Sequence, residues 1–357
     1  MAELCQGMRV MKMNELGNTG IEVSALCLGT MTFGSQTRLE AAHTQIDMAL
    51  EAGINFLDTA EMYPVNPVRA ETIGRSERIL GQWFLDSRRR DDVVLATKHS
   101  GEGLSWVREG AEISSKTIHE AIEGSLRRLN TDYIDLYQFH WPNRGSYMFR
   151  QNWSYDPSKQ DRAATQAHME DALGALQIEV DRGRIRAFGL SNESAWGTSQ
   201  WLRVAAQMDA PRVASIQNEY SLLCRLFDTD LAETSVNENV GLLAFSPLAA
   251  GLLSGKYQEG AVPEGSRMSL VENLGGRKTA RVFEAVAAYL ELAKRHGLDP
   301  VQMSLAWAMQ RPFMTSVIFG ATRVDQLQHI LDGKDLVLSQ EVMNEIDQTH
   351  RNHAMPY

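Results

Sequence analysis

The 357-residue chain is poor in cysteine: Cys5, Cys27 and Cys224 are the only three, with no CxxC pair and an odd count. That argues against a disulfide framework and suits a reducing compartment, so the chain is read as cytoplasmic. The first residues, "MAELCQGMRVMKMNELG", lack the long apolar stretch of a secretory leader. No apolar run reaches the length of a membrane span, so no membrane partner is expected. Positive charge is also short. The formal net charge is -10 and no basic stripe accompanies it, which argues against nucleic acid as a partner. The run "SRRRDD" at 87–92 is mixed in sign and reads as a solvated helix end. HEXXH and Cys/His spacings are missing, so no metal is expected, and no GxSxG elbow marks a serine nucleophile. Nor does GxGxxG follow any strand: "GEGLSW" at 101–106 lacks the third glycine, so a Rossmann site is not supported.

What is present is alternation. With 43% hydrophobic and 22% charged residues, the chain can bury a sizeable core. Strand-like runs recur at 23–31, 54–60, 93–98, 133–141, 185–192, 213–220, 241–248 and 315–322. Segments of helical period follow them. Apolar strands joined by crossover helices imply a parallel sheet covered on both faces. Eight such units predict a (β/α)8 TIM barrel, with a pair of doubly wound domains as the alternative architecture. No composition break divides the chain, so residues 13–350 read as one domain, with 1–12 as an extension and 351–357 as a tail. The "HRNH" at 350–353 reads as surface. Two stretches exceed the usual loop length, 142–167 and 249–277, and both follow strands, which puts them on the barrel's C-terminal face. The first carries Tyr147, Phe149, Trp153 and Tyr155 just after Trp141.

Several strand-like runs end in ionisable groups. "NFLDTAEMY" ends the second in Asp58 and Tyr63, "VVLATKH" ends the third in Lys98, and "YQFHW" ends the fourth in His140. Neighbouring strands lie ~4.8 Å apart, so these side chains can converge on one pocket. Together they suit proton transfer to a carbonyl oxygen. A phenol's ordinary pKa, near ~10, is too high for the task, and an ammonium beside it lowers that value. Asp58 would keep Lys98 charged and oriented, and His140 would orient the carbonyl or share in the relay. A barrel hydrolase built on Asp58 lacks a second carboxylate beyond Glu61.

A carbonyl acid needs a hydride donor, and the barrel offers a phosphate site in the loops after its seventh and eighth strands. "FSPLAAGLLSGKY" (245–257) supplies small residues, hydroxyls and Lys256 there, and "FGATRVDQLQ" (319–328) puts Gly320, Thr322 and Arg323 before a helix N-terminus.

From Met13 onward these motifs in this order resemble the aldo-keto reductase superfamily. "LGNTGIEVSALCLGTMTFG" is similar to its N-terminal hairpin and first strand. "DTAEMY", "ATK" and "QFHW" resemble its catalytic stretches, and "GLSN", "SIQNEYSLL", "FSPLAAGLLSGKY" and "GATRVDQL" its cofactor stretches. The resemblance is strongest to bacterial NADP-dependent members with "DTAEMYPV", and extends to potassium-channel β-subunits, which would make the chain a cofactor sensor. It implies Tyr63 as general acid, tuned by Lys98 and Asp58, with His140 on a small-molecule carbonyl substrate. Ser191, Asn192 and Gln217 would hold the nicotinamide carboxamide, and Phe245 would stack on the ring. Gly29, Thr30, Met31, Ser246, Pro247, Leu248, Gly251, Ser254, Lys256, Gly320 and Thr322 would line the rest of NADPH. Arg323 would meet its 2′-phosphate and Gln326 its adenosine end. NADH is the other cofactor such a site admits. Trp141, Tyr147 and Trp153 would face an apolar or ring-shaped substrate. His329 and Ile330 depart from the family, which often has Glu-Asn there.

Overall fold

The computed structural model describes residues 11–357, so Cys5 and most of the 1–12 extension lie outside the described residues. A hairpin, β1 (Met13–Glu15) and β2 (Glu22–Ser24), precedes eight parallel strands that close into a barrel. These are β3 (Leu26–Gly29), β4 (Phe56–Asp58), β5 (Val94–His99), β6 (Ile134–Phe139), β7 (Ile185–Ser191), β8 (Val213–Glu219), β9 (Gly241–Phe245) and β10 (Met314–Phe319). Each pairs with the next, and β10 pairs with β3. The expected (β/α)8 architecture is the observed one.

The first six crossovers carry α1 (Leu39–Glu51), α2 (Arg75–Ser87), α3 (Ser115–Leu129), α4 (Arg162–Asp181), α5 (Ala195–Met208) and α6 (Asp230–Glu238). Between β9 and β10 lie α7 (Arg267–Leu270), α8 (Val282–Arg295) and α9 (Pro300–Met309). After β10 come α10 (Val324–Asp332) and α11 (Gln340–Asn352). Among the described residues no helix is long and apolar enough to cross a membrane.

Strand periodicity sorts side chains into two cores. Leu57, Leu95, Tyr137 and Phe188 point outward and pack under the helices. Cys27, Phe56, Ala96, Leu136, Ala187, Leu243 and Ile318 point inward and fill the barrel. Leu16, Ile21 and Val23 of the hairpin pack against this inner set and plug the barrel's N-terminal end. Gly17 makes that plug possible: its φ is +58°, and a Cβ there would stand 2.6 Å from the Ala214 carbonyl oxygen. With the bottom closed by apolar side chains, the polar residues one step further along the same inward parity sit at the open top.

Four expectations need correction. Helix α4 begins at Arg162, inside the stretch expected to be loop, because the Asp161 carboxylate accepts from the N–H groups of Ala163 and Ala164. Its first two turns carry few apolar residues, so periodicity missed them. Residues 23–31 are not one strand: Ser24 ends β2 and Leu26 begins β3. Arg90 is not solvated. It donates to the Val93 and Tyr133 carbonyls and to Asp135 Oδ2, 2.8 Å away. The "HRNH" run lies at the surface, with Arg351 and Asn352 exposed, but it is not a tail. Residues 350–352 close α11, which is capped by Ser339 and buries Val342 and Ile346. The chain then returns to the barrel, where Tyr357 is buried and its hydroxyl donates to Glu219 Oε1.

Candidate active site

At the open end the inward parity places Asp58, Lys98, Gln138 and Ser191 beyond Phe56, Ala96, Leu136 and Ala187 on their strands. Lys98 Nζ donates to Asp58 Oδ2 at 2.6 Å and to the Thr59 carbonyl at 2.7 Å, with the lysine side chain 0% exposed. The other oxygen of Asp58 accepts from Gln217 Nε2 at 2.9 Å and from Gln138 Nε2 at 3.2 Å. Both oxygens of the buried carboxylate are thus met, which is the condition for burying the charge at all. Burial works to lower the Lys98 pKa, but Asp58, Tyr63 and Cys27 together outweigh it and the ammonium is held above its ordinary value. Gln138 was missed at the sequence level; its place on β6, two residues before His140, was the available signal.

Tyr63 lies on the turn after β4, nearly buried, with Lys98 Nζ 5.0 Å from its ring centroid. Its pKa departs from the expectation. Burial raises it, Lys98 offsets only part of that rise, and the net direction is upward. His140 meets the Tyr63 ring edge-on at 5.7 Å. Burial, with Lys98 adding to it, pushes the imidazole well below its ordinary pKa, so His140 is neutral. Among the described residues its Nδ1 has no partner. Trp141 stands 5.0 Å from His140, and Phe149 6.4 Å from Trp141, extending the aromatic row outward. The apolar cluster around Tyr63 includes Met31, Val65, Leu104, Val107 and Trp141.

This constellation can hold a proton on a phenol beside a fixed cation, under a neutral imidazole, at the mouth of a barrel. The sequence profile of the Aldo/keto reductase family matches residues 25–351. The chain belongs to this aldo/keto reductase family. It is 42% identical over 350 residues to "Protein tas" of Escherichia coli K12, covering 97% of this chain and 99% of that one. It is 33% identical to "Uncharacterized oxidoreductase YrpG" of Bacillus subtilis, covering 93% of this chain and 94% of that one. At 31% identity, with 95% and 96% covered, it is also similar to "Probable voltage-gated potassium channel subunit beta" of Arabidopsis thaliana.

Aldo/keto reductases are oxidoreductases that typically work with nicotinamide cofactors, and the remaining strand ends can be tested for fit to one. Asn192, with φ +55°, donates from Nδ2 to the His140 carbonyl and to Ser191 Oγ, while its buried Oδ1 has no partner among the described residues. Such an orphaned acceptor suits the N–H of a carboxamide. Ser191 Oγ in turn donates to the Gln217 carbonyl. Phe245 is part-exposed at the end of β9. After it, Ser246, Ala249, Ala250 and Gly251 all have positive φ, the kind of turn in which backbone N–H groups gather around an anion. A Cβ on Gly251 would sit 2.8 Å from Lys256 Nζ, so glycine there keeps the ammonium close to the backbone. Ser254 Oγ donates to the Gly251 carbonyl, and Pro247 and Leu248 turn the chain between.

Two cations were missed in the sequence. Arg277 donates to Glu219 Oε1 and reaches Ser246 Oγ at 3.4 Å. Arg267 is part-buried, its Nε has no partner among the described residues, and burial with the nearby charge of Arg277 lowers its pKa to about 10. A part-buried guanidinium held near another suits an anion. These residues fit the phosphates and the carboxamide of a dinucleotide.

Other predicted residues divide. Thr30 Oγ1 donates to the Asp58 carbonyl, Met31 packs near Tyr63, and a Cβ on Gly29 would stand 2.9 Å from Ile318 Cγ2. Gly320 begins the loop after β10, where Thr322 donates to Gln326 Oε1 through both its N–H and its hydroxyl. Arg323 is exposed and bidentate to Asp325. His329 pairs with Asp299, and Ile330 is buried in the main core. Of the three proposed substrate aromatics, only Trp141 joins the Tyr63 cluster. Tyr147 packs on the main core beside Tyr155. Trp153 is 62% exposed under Arg281, at 5.7 Å.

Proposed function

We propose that this protein reduces an aldehyde or ketone to an alcohol with NADPH, reversibly, with Tyr63 as the general acid. The observation that carries the reading is the fully buried Lys98–Asp58 ion pair beneath the Tyr63 ring. NADPH, when bound, supplies the hydride. The protein's own part is to deliver a proton to the carbonyl oxygen and to hold both reactants. Burial keeps the proton on Tyr63 in the resting state, and the nearby ammonium stabilises the phenolate left when that proton departs. Asp58 holds Lys98 charged and aimed. His140, neutral and with an unpartnered ring nitrogen, positions the carbonyl.

Asn192, Ser191 and Gln217 would hold the carboxamide, with Phe245 against the ring. Lys256, Arg267 and Arg323 would take the phosphates. Guanidinium pairing with a 2′-phosphate favours NADP over NAD. The row of His140, Trp141 and Phe149 favours an apolar or ring-shaped carbonyl compound. We place the reaction in the cytoplasm, with no nucleic-acid or membrane partner. A second reading, a cofactor-sensing regulatory subunit, draws on the similarity to the plant channel subunit.

Titration of the protein with NADPH and NADH by Trp fluorescence, followed by a panel of carbonyls read at the cofactor's reduced absorbance band, separates these. Tighter binding of NADPH and its consumption on a carbonyl are expected, and Tyr63→Phe should abolish turnover while NADPH still binds. Binding with no turnover on any carbonyl would favour the sensor. No binding of either nucleotide would overturn both.

A further inference from the structure

Glu61 is the one residue of the "DTAEMY" turn whose charge the reaction above does not use. Its side chain is only 5% exposed, too enclosed for bulk solvent to stabilise the carboxylate. Arg108, from the loop after β5, grips it with both guanidinium ends: Nη1 to Oε2 at 2.5 Å and Nη2 to Oε1 at 2.7 Å. The Ser100 N–H donates to Oε1 at 2.6 Å. Arg108 Nη2 also reaches His99 Nδ1 and the Ser100 carbonyl, both at 3.2 Å. Burial works to raise the Glu61 pKa, but Arg108 and its neighbours outweigh it and hold the carboxyl below its ordinary value. The other charged or titratable groups that bear on the pair are His99 on β5, Tyr137 on β6, Arg128 on α3 and Glu120 on α3.

The backbone around the pair shows what it holds. The Glu61 N–H donates to the Lys98 carbonyl and the Tyr63 N–H to the Ala60 carbonyl, so the turn carrying the phenol leans on the strand carrying the ammonium. Val107, next to Arg108, packs in the same cluster as Tyr63. Arg108 and Glu109 both have positive φ, +46° and +56°. Side-chain-bearing residues adopt that conformation only where surrounding contacts impose it. A bidentate, desolvated pair of this kind gives orientation more than stability.

We propose that Arg108, acting through Glu61, is a positioning residue that fixes the Tyr63 turn over Lys98. The inference rests on Tyr63 being the acid. Neither Arg108 nor Glu61 need touch the substrate.

The test compares wild type with Arg108→Lys, Arg108→Leu and the double change Glu61→Met with Arg108→Leu. The double variant removes both buried charges together, which proteins tolerate far better than the loss of one partner. The expected result for the double variant is a kcat lower by about 10²-fold, the scale of a 1 Å misplacement, with the NADPH Kd little changed. The basic limb of its pH–rate profile should move as the phenol leaves the ammonium. Arg108→Lys, which keeps the charge without the fork, should recover part of the loss. A crystal structure of the double variant should show the 59–63 turn displaced from Lys98. A folded double variant with wild-type kcat, pH profile and turn geometry would overturn the proposal. The crystallographic comparison reads the positioning without any substrate. A wild-type protein that reduces no carbonyl would sink the reading of Tyr63 as acid, and a displaced turn would still stand as geometry.

Discussion

Two ion pairs of almost equal length sit at opposite extremes of this molecule. Lys98–Asp58 spans 2.6 Å with side chains 0% and 4% exposed, whereas Arg323–Asp325 spans 2.8 Å with side chains 64% and 67% exposed. Bond length says nothing about what they do. Inside the barrel the two charges have no bulk solvent to fall back on, so each must keep the other, and the ammonium stays at one place beneath Tyr63. On the rim either partner can exchange its neighbour for water, and Arg323 can exchange it for an arriving phosphate, at little cost. The interior pair suits a site whose charge must not move, and the rim pair suits one whose charge must be handed over.

The largest effect expected from this contrast is Asp58→Asn. It leaves Lys98 buried without its counter-ion, and loss of one partner of such a pair typically costs about 3–5 kcal/mol. Denaturant unfolding should register that cost, and turnover should fall by about 10²–10⁴-fold, the usual worth of a positioned acid. An Asp58→Asn variant as stable and active as wild type would mean that the buried pair matters no more than the rim pair.

A buried imidazole should give the next largest effect, through pH. Burial lowers the His99 pKa from 6.5 to about 4, with Glu61 opposing that shift only in part. The unfolded chain takes up this proton below about 6.5 and the folded chain resists until about 4. In that window the unfolded state binds more protons, so stability is lost as pH falls. A gap of this size corresponds to roughly 3 kcal/mol. Urea unfolding at pH 7 and pH 4.5 should show less acid sensitivity in His99→Gln than in wild type. Equal sensitivity would mean the imidazole is not held neutral.

The smallest effect belongs to the rim. Asp325→Asn should change stability by less than about 1 kcal/mol, yet release Arg323. NADPH should then bind a few-fold tighter while NADH binding stays the same. A stability loss comparable to that of Asp58→Asn, or equal gains for both nucleotides, would break the contrast from the other side.

How much of this was legible differs from residue to residue. Asp58, Lys98 and His140 could be found because each ends an apolar run, and a strand's period of two then aims them at one end of the barrel. Gln138 follows the same parity but is a neutral amide inside a strand, and nothing in its type set it apart. Helix α11 was missed although Ser339, Val342 and Ile346 carry a cap and a helical spacing; its mostly polar sequence hid them. Arg267 and Arg277 sit in a long irregular stretch where no periodicity says which side chains turn inward. Tyr147 and Trp153 belong to the same aromatic run as Trp141, and composition could not tell that only Trp141 joins the Tyr63 cluster.

The sequence by itself determined the barrel and the strand ends on which the chemistry stands, because hydrophobic period and chain order specify which residues share a face. Tertiary structure alone decided the rest. Only packing could make burial outweigh Lys98 at Tyr63, bring Arg108 across to Glu61, and return Tyr357 to Glu219. Those outcomes depend on distance and desolvation between segments far apart in the chain, quantities that no local pattern encodes.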